Sequence, residues 1–243
     1  MVNIATLYQW FHHYYYSFYS SDPEIMNMVQ LKEHHSVRVA KNARELAQII
    51  GLSVEQADLA EVIGLLHDIA RSEQAHLKTF NDAISFDHGD RGVLRLEEAK
   101  ILSTFECEAR ENILFSIKYH NKMLVPSAQP DKMLFAKIIR DADKLDIFRI
   151  LPPILADHNY SPLLLELLRK GRVLPYSEVR TTADKRLVRI GWFYDINFQW
   201  TLAQLNHEGY DEQLVGSLPN TPPFNEIKET FRTYITAKLS MNT

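Results

Sequence analysis

The chain has 243 residues, 46% of them hydrophobic and 24% charged, which is the balance of an ordinary globular protein able to build a sizeable core. A formal net charge of −4 disfavours nucleic acid as a partner, and a single cysteine, Cys107, excludes an intramolecular disulfide and fits a reducing compartment. No apolar run approaches the roughly 18 to 20 residues that cross a bilayer, so a cytoplasmic location without a membrane partner is the expectation.

The first twenty residues, MVNIATLYQWFHHYYYSFYS, lack both a basic leader and a clean apolar core. They read as a helix of the mature protein, with Tyr14, Tyr15 and Tyr16 packing it on the core, and not as a signal peptide. Asp22 is placed to cap the next helix, Pro23 suits its first position and Gly51 its end. Between them Ile25, Met28, Val29, Val39, Ala43, Leu46 and Ile50 recur at three- and four-residue steps, the stripe of a core-facing helix. Ser53 and Gln56 predict a capping box opening a third helix through Ala57, Ala60 and Ile63. The Gly-, Asp- and Asn-bearing segment SEQAHLKTFNDAISFDHGDRG reads as loop and turn. Helical spacing resumes from about Val93 to Tyr119, and DKMLFAKIIRDADKLDIFRIL predicts a helix ended by Pro152 and Pro153. Beyond it short helical pieces alternate with loops, and RLVRIGWFYDINFQW is expected to be strand-like in part. With only 8 glycines and no repeat or linker, the chain reads as all-α.

Within GLLHDIAR an apolar run leads straight to His67 and Asp68. Burying a carboxylate costs several kcal/mol unless it is paired or bound to a metal. Other imidazoles and acids stand among apolar neighbours along the chain: His35 in HSVRVA, His88 in DHGDRG, His120 in IKYHN and Asp143 in RDADKLD. An imidazole and carboxylate set without cysteine suits Fe, Mn, Zn, Ni or Co. Cationic neighbours are available for an anionic substrate: Arg71 three residues past Asp68, Arg38 one turn from His35, and Lys144 beside Asp143. Asp146, one turn beyond Asp143, is placed to orient a ligating histidine from behind. Cys107, flanked by Glu106 and Glu108, gains no thiolate stabilisation. His12, His13, His34, His76, His158 and His207 are expected to be solvated or structural.

The ordered set of HSVRVA, LLHDIAR and DADKLD resembles the HD superfamily of metal-dependent phosphohydrolases over Leu31 to Ile150. The resemblance implies an all-α HD-domain helical bundle. It fits a single domain over 1–243, with an HD core at about 22–150 and a mostly helical C-terminal extension at about 151–243. It further implies that His35, His67, Asp68 and Asp143 hold a main divalent metal, Mg also being compatible. His88 and His120 match the extra histidines of two-metal members, in which Asp68 would bridge. The implied reaction is hydrolysis of a phosphomonoester or phosphodiester bond of a nucleotide or related small phosphate. In it Asp68 and Arg71 would serve the chemistry, and Arg38 and Lys144 would hold substrate. Two alternatives stay open: an HD-type di-iron oxygenase, and a non-catalytic nucleotide- or phosphate-binding regulatory protein. Family membership does not fix the leaving group.

Overall fold

The computed structural model describes residues 4–152, 154 and 159–240; Pro153 and His158 lie outside them. Contacts divide the chain into two compact units, Met1–Asp146 and Ile147–Thr243. All regular structure among the described residues is helical, as an all-α fold requires.

The first unit is built from α1 (Ile4–Tyr16), α2 (Pro23–Ile49), α3 (Val54–Leu66), the short α4 (Arg71–His76), α5 (His88–Ala99), α6 (Cys107–Tyr119) and the larger part of α7 (Pro130–Ile150). Local chemistry fixes the ends of α2 and α3. Asp22 accepts from Glu24 N and Pro23 occupies the first turn. At the other end Gly51, at φ +81°, donates to Gln48 O and Leu52 donates to Ala47 O, a complete Schellman closure. Ser53 and Gln56 form the reciprocal capping box of α3.

These two helices pack through small side chains. Ala40 and Ala43 of α2 and Ala57 and Ala60 of α3 are buried, and a Cβ added to Gly64 would stand only 2.6 Å from Ala40 Cα. That approach brings the helix carrying His35 against the helix that ends at His67. Of the three adjacent tyrosines only Tyr15 is fully buried, donating to Asp68 O at 3.0 Å, while Tyr16 is 67% exposed. Three α positions apart they would share a face; side by side they cannot.

The structure departs from the sequence expectations in three places. The helical spacing of 93–119 is split: α5 ends with Lys100 in the left-handed region at φ +53°, and α6 begins at Cys107. The segment expected to be loop contains α4 and, through the Asp87 cap, the first turn of α5. The strand-like stretch is instead α9 (Thr182–Trp192) followed by a 3₁₀ turn at Phe193–Asp195. There the buried Ala183, Leu187 and Ile190 repeat at helical steps, and Thr181 with Asp184 makes a capping box that commits the segment to a helix.

The second unit also holds α8 (Pro162–Arg169), α10 (Gln199–His207), α11 (Tyr210–Gly216) and α12 (Phe224–Ser240). Leu164, Leu168, Leu187, Ile190, Phe193 and Phe231 form its core. Two buried charges inside it are fully used: Asp184 accepts from the backbone N–H groups of Ser161, Arg180 and Thr181, and Arg186 donates to Tyr160 Oη and to the carbonyls of Ile154 and Ser217. No described helix is long and apolar enough to cross a membrane.

Candidate metal centre

Each inward side chain of the first unit is positioned by a simple local device. On α2, Lys32, His35 and Arg38 recur at three-residue steps and so share one face. His67 caps the C-terminus of α3, and its Nδ1 donates back to Gly64 O at 2.7 Å. His120 repeats this at the end of α6, its Nδ1 donating to Ile117 O at 2.7 Å. Both rings thereby satisfy a carbonyl that the helix terminus leaves open. His88 opens α5 and donates from Nδ1 to Asp82 Oδ2 at 2.7 Å. His35 donates from Nδ1 to Asp146 Oδ2 at 2.6 Å.

The four imidazoles therefore spend their Nδ1 hydrogens outward, on groups that accept only. Their Nε2 atoms turn inward onto one carboxylate. Asp68 Oδ2 lies 3.5 Å from His35 Nε2 and 3.4 Å from His67 Nε2, while Asp68 Oδ1 lies 3.3 Å from His88 Nε2 and 3.6 Å from His120 Nε2. Asp143 Oδ1 closes the first side, 3.0 Å from His35 Nε2 and 3.6 Å from His67 Nε2. All six side chains predicted as ligands are thus brought together. His35, His67 and Asp143, and likewise His67, Asp68 and His120, each offer ligand atoms within 4.8 Å of one another, close enough to share a cation.

The donor set fits a metal on observations that do not depend on resemblance. His35 Nε2, His67 Nε2 and Asp143 Oδ1 are buried without a hydrogen-bond partner. The Nε2 atoms of His88 and His120 face each other at 3.0 Å with their Nδ1 hydrogens already committed, so a cation or an extra proton belongs between them. Nitrogen and oxygen donors without sulfur suit Fe, Mn, Co, Ni or Zn.

Electrostatics agree. Burial disfavours charge on His67, yet the carboxylates of Asp68 and Asp143 outweigh it and lift its pKa to about 10. Burial also opposes ionisation of Asp68, but Lys32 and His67 hold it well below the usual carboxylate range; His35 and His67 do the same for Asp143. His88 moves the other way, down to about 4, through burial and the nearby Arg71. The centre attracts positive charge on its His67 side, while burial pulls His120, like His88, toward the neutral form.

The flanking residues divide. Arg71 Nε lies 3.5 Å from Asp68 Oδ1 and is buried without a hydrogen-bond partner. Its Nη1 is anchored on Gln74 Oε1, Phe80 O and Asp82 Oδ1. The helix ends before Arg71, and a turn bonded from Arg71 N to Asp68 O keeps the two together. Arg38 grips Asp146 with two hydrogen bonds of 2.6 and 3.0 Å. Lys144 is largely buried and donates to Arg140 O, one turn back along α7, at 3.4 Å.

Two contributors went unread in the sequence. Lys32 Nζ stands 2.7 Å from Asp68 Oδ2 and 5.4 Å from the Phe80 ring centroid. Asp82 joins Arg71 to His88 from a segment read as loop. Lys32 was detectable as the residue one turn before His35; nothing local marked Asp82.

No curated protein and no solved structure shows a significant match to the chain. Residues 33–147 match the family model of the HD domain, and that span contains all six converging side chains together with Asp146. The chain therefore carries an HD domain over residues 33–147, consistent with a protein of the HD superfamily.

Proposed function

We propose that the protein is a metal-dependent phosphohydrolase acting on a small phosphorylated substrate, a nucleotide or a compound of similar charge, at the centre around Asp68. The observation that carries this reading is the division of the Asp68 carboxylate, one oxygen toward His35 and His67 and the other toward His88 and His120. Such a carboxylate suits a bridge between two ions, held by His35, His67 and Asp143 on one side and by His88 and His120 on the other. A divalent ion in such a site supplies charge against phosphoryl oxygens and brings the pKa of water down to about 7.

The chain's own residues account for the rest. Asp68 orients the attacking water by accepting its hydrogen. Arg71 offers its unused Nε to a phosphoryl oxygen, its Nη1 being fixed by three acceptors so that little ordering remains to be done on binding. Lys32 adds a second cation on the opposite oxygen of Asp68. Arg38 acts through Asp146, holding the carboxylate that orients His35, and Lys144, next to Asp143 on α7, is a further cation for the substrate. Two cations beside the bridging carboxylate favour an anionic substrate over the oxygen-dependent cleavage of a neutral one.

The test is elemental analysis of the purified protein, paired with a phosphate-release screen under Mn²⁺, Co²⁺, Ni²⁺, Fe²⁺, Zn²⁺ and Mg²⁺. Release from one class of phosphate ester, lost together with bound metal in His67→Ala and Asp68→Ala, is the expected result. Oxygen uptake with a ferrous/ferric spectrum would assign the oxygenase reading instead. Inertness toward all phosphates, combined with thermal stabilisation by one of them, would assign a binding role.

A further inference from the structure

A second concavity of the first unit lies away from the histidines. It has a volume of about 870 Å³, within the range of small-molecule sites, and is walled by Leu7, Trp10, Leu59, Val62, Phe105 and Phe135. Three of its helices also carry residues of the metal centre. Leu59 precedes His67, Asn112 precedes His120 and Phe135 precedes Asp143 by eight residues each, about 12 Å of helix. A molecule seated here does not touch the centre.

Two features say what the cavity takes. Asn112 lines it and is only 4% exposed, yet its side-chain amide makes no hydrogen bond with the protein among the described residues. The small area it exposes lets water reach the amide, and a polar atom on a seated ligand can take that water's place. The rim carries the carboxylates of Glu55, Asp58, Glu106, Glu108 and Asp131 against one lysine, Lys100. Asp58 is engaged by Arg44, whereas Glu106, Glu108 and Asp131 make no ion pair within the described residues. The N-termini of α3, α6 and α7 offset part of this negative charge, each by about half a unit at most, and leave the rim anionic.

We propose that this cavity is a ligand site separate from the metal centre, taking a small amphipathic cation: an apolar body for the aromatic and aliphatic walls, a polar atom for Asn112, and a protonated amine for the rim. The inference is independent of the phosphohydrolase reading, and its test reads no turnover.

The full-length protein is titrated by calorimetry at low ionic strength with 1-naphthylmethylammonium, the neutral 1-naphthylmethanol and the anionic 1-naphthoate. Saturable binding of the ammonium, about tenfold tighter than the alcohol and tighter still than the carboxylate, is expected. The triple variant Glu106→Gln, Glu108→Gln, Asp131→Asn changes only exposed positions; it should bring ammonium and alcohol to the same affinity. Ala109→Trp, which fills the cavity, should weaken both. Absence of saturable ammonium binding, equal affinity for all three probes, or a preference that survives the triple substitution would overturn the proposal.

Discussion

Lys32 Nζ lies 2.7 Å from Asp68 Oδ2, the same oxygen that faces His35 and His67. The ammonium thus stands where a cation would also find its carboxylate, and the two compete for Oδ2. On the phosphohydrolase reading Lys32 yields that oxygen and turns to the substrate anion. Lys32→Met keeps the aliphatic stem beside Phe80 and removes the charge. Metal affinity should stay the same or rise, while kcat/KM falls about 10- to 100-fold, the worth of one charge-assisted hydrogen bond. Loss of metal content in Lys32→Met, measured beside the wild type, would make Lys32 a structural support of the centre instead.

The apparent metal affinity should rise with pH, and His67 gives the sign. With its pKa lifted to about 10, the ring carries a proton at pH 7, and since Nδ1 is bonded to Gly64 O the extra proton sits on Nε2. A cation gains that lone pair only by displacing the proton, so affinity should increase about tenfold per pH unit until pH nears the pKa. His88, held at about 4, is already neutral and adds no release. Calorimetry in buffers of different ionisation enthalpy measures the count directly, with about one proton expected from His67 per ion on its side. An affinity that is flat from about pH 6 to 9 contradicts it.

How far the sequence foretold this centre depends on how local each cause is. Asp22, Gly51, Ser53 and Gln56 act within a turn of themselves, and the helix ends they announce are where they were read. The convergence of six side chains was legible because each stands in a short pattern that keeps its order along the chain. Asp82 was not, since its role exists only once the turn after α4 folds back to set it between Arg71 and His88. The break at Lys100 was hidden for a related reason: its left-handed backbone interrupts a spacing that stays helical on both sides. Arg38 was read as a substrate cation from its distance to His35, but spacing on one helix cannot reveal a carboxylate arriving from α7.

That carboxylate supplies the next prediction. Asp146 accepts from His35 Nδ1 at 2.6 Å while Arg38 fixes both its oxygens, so the ring is aimed by an ion pair that is itself held. Burial works against its charge, and His35 and Arg38 more than restore it. Asp146→Asn preserves size and removes the charge that makes His35 a better donor of its Nε2 lone pair. Metal affinity should drop about 10- to 100-fold with helix content unchanged. An Asp146→Asn protein that binds metal like the wild type but melts lower would assign the residue to packing alone.

Two glycines separate stability from site geometry. Gly51 holds φ +81° with open space around its missing Cβ, so Gly51→Ala meets only backbone strain, about 1 to 2 kcal/mol, and should leave bound metal untouched. Gly64 has ordinary helical backbone, but a Cβ there would meet Ala40 Cα at 2.6 Å, Ala40 N at 2.9 Å and Val39 O at 2.9 Å. Those are backbone atoms of the facing helix, which cannot turn aside as a side chain could, so Gly64→Ala must push α2 and α3 apart at a cost of about 3 kcal/mol or more. Gly64 O also accepts from His67, and His35 rides on the displaced helix, so the same methyl group should misplace two of the four imidazoles. Thermal unfolding and metal content measured together distinguish the cases: Gly51→Ala lowers Tm alone, and Gly64→Ala lowers both. Retention of full metal content in a destabilised Gly64→Ala protein would show that the centre tolerates separation of the helices that carry it.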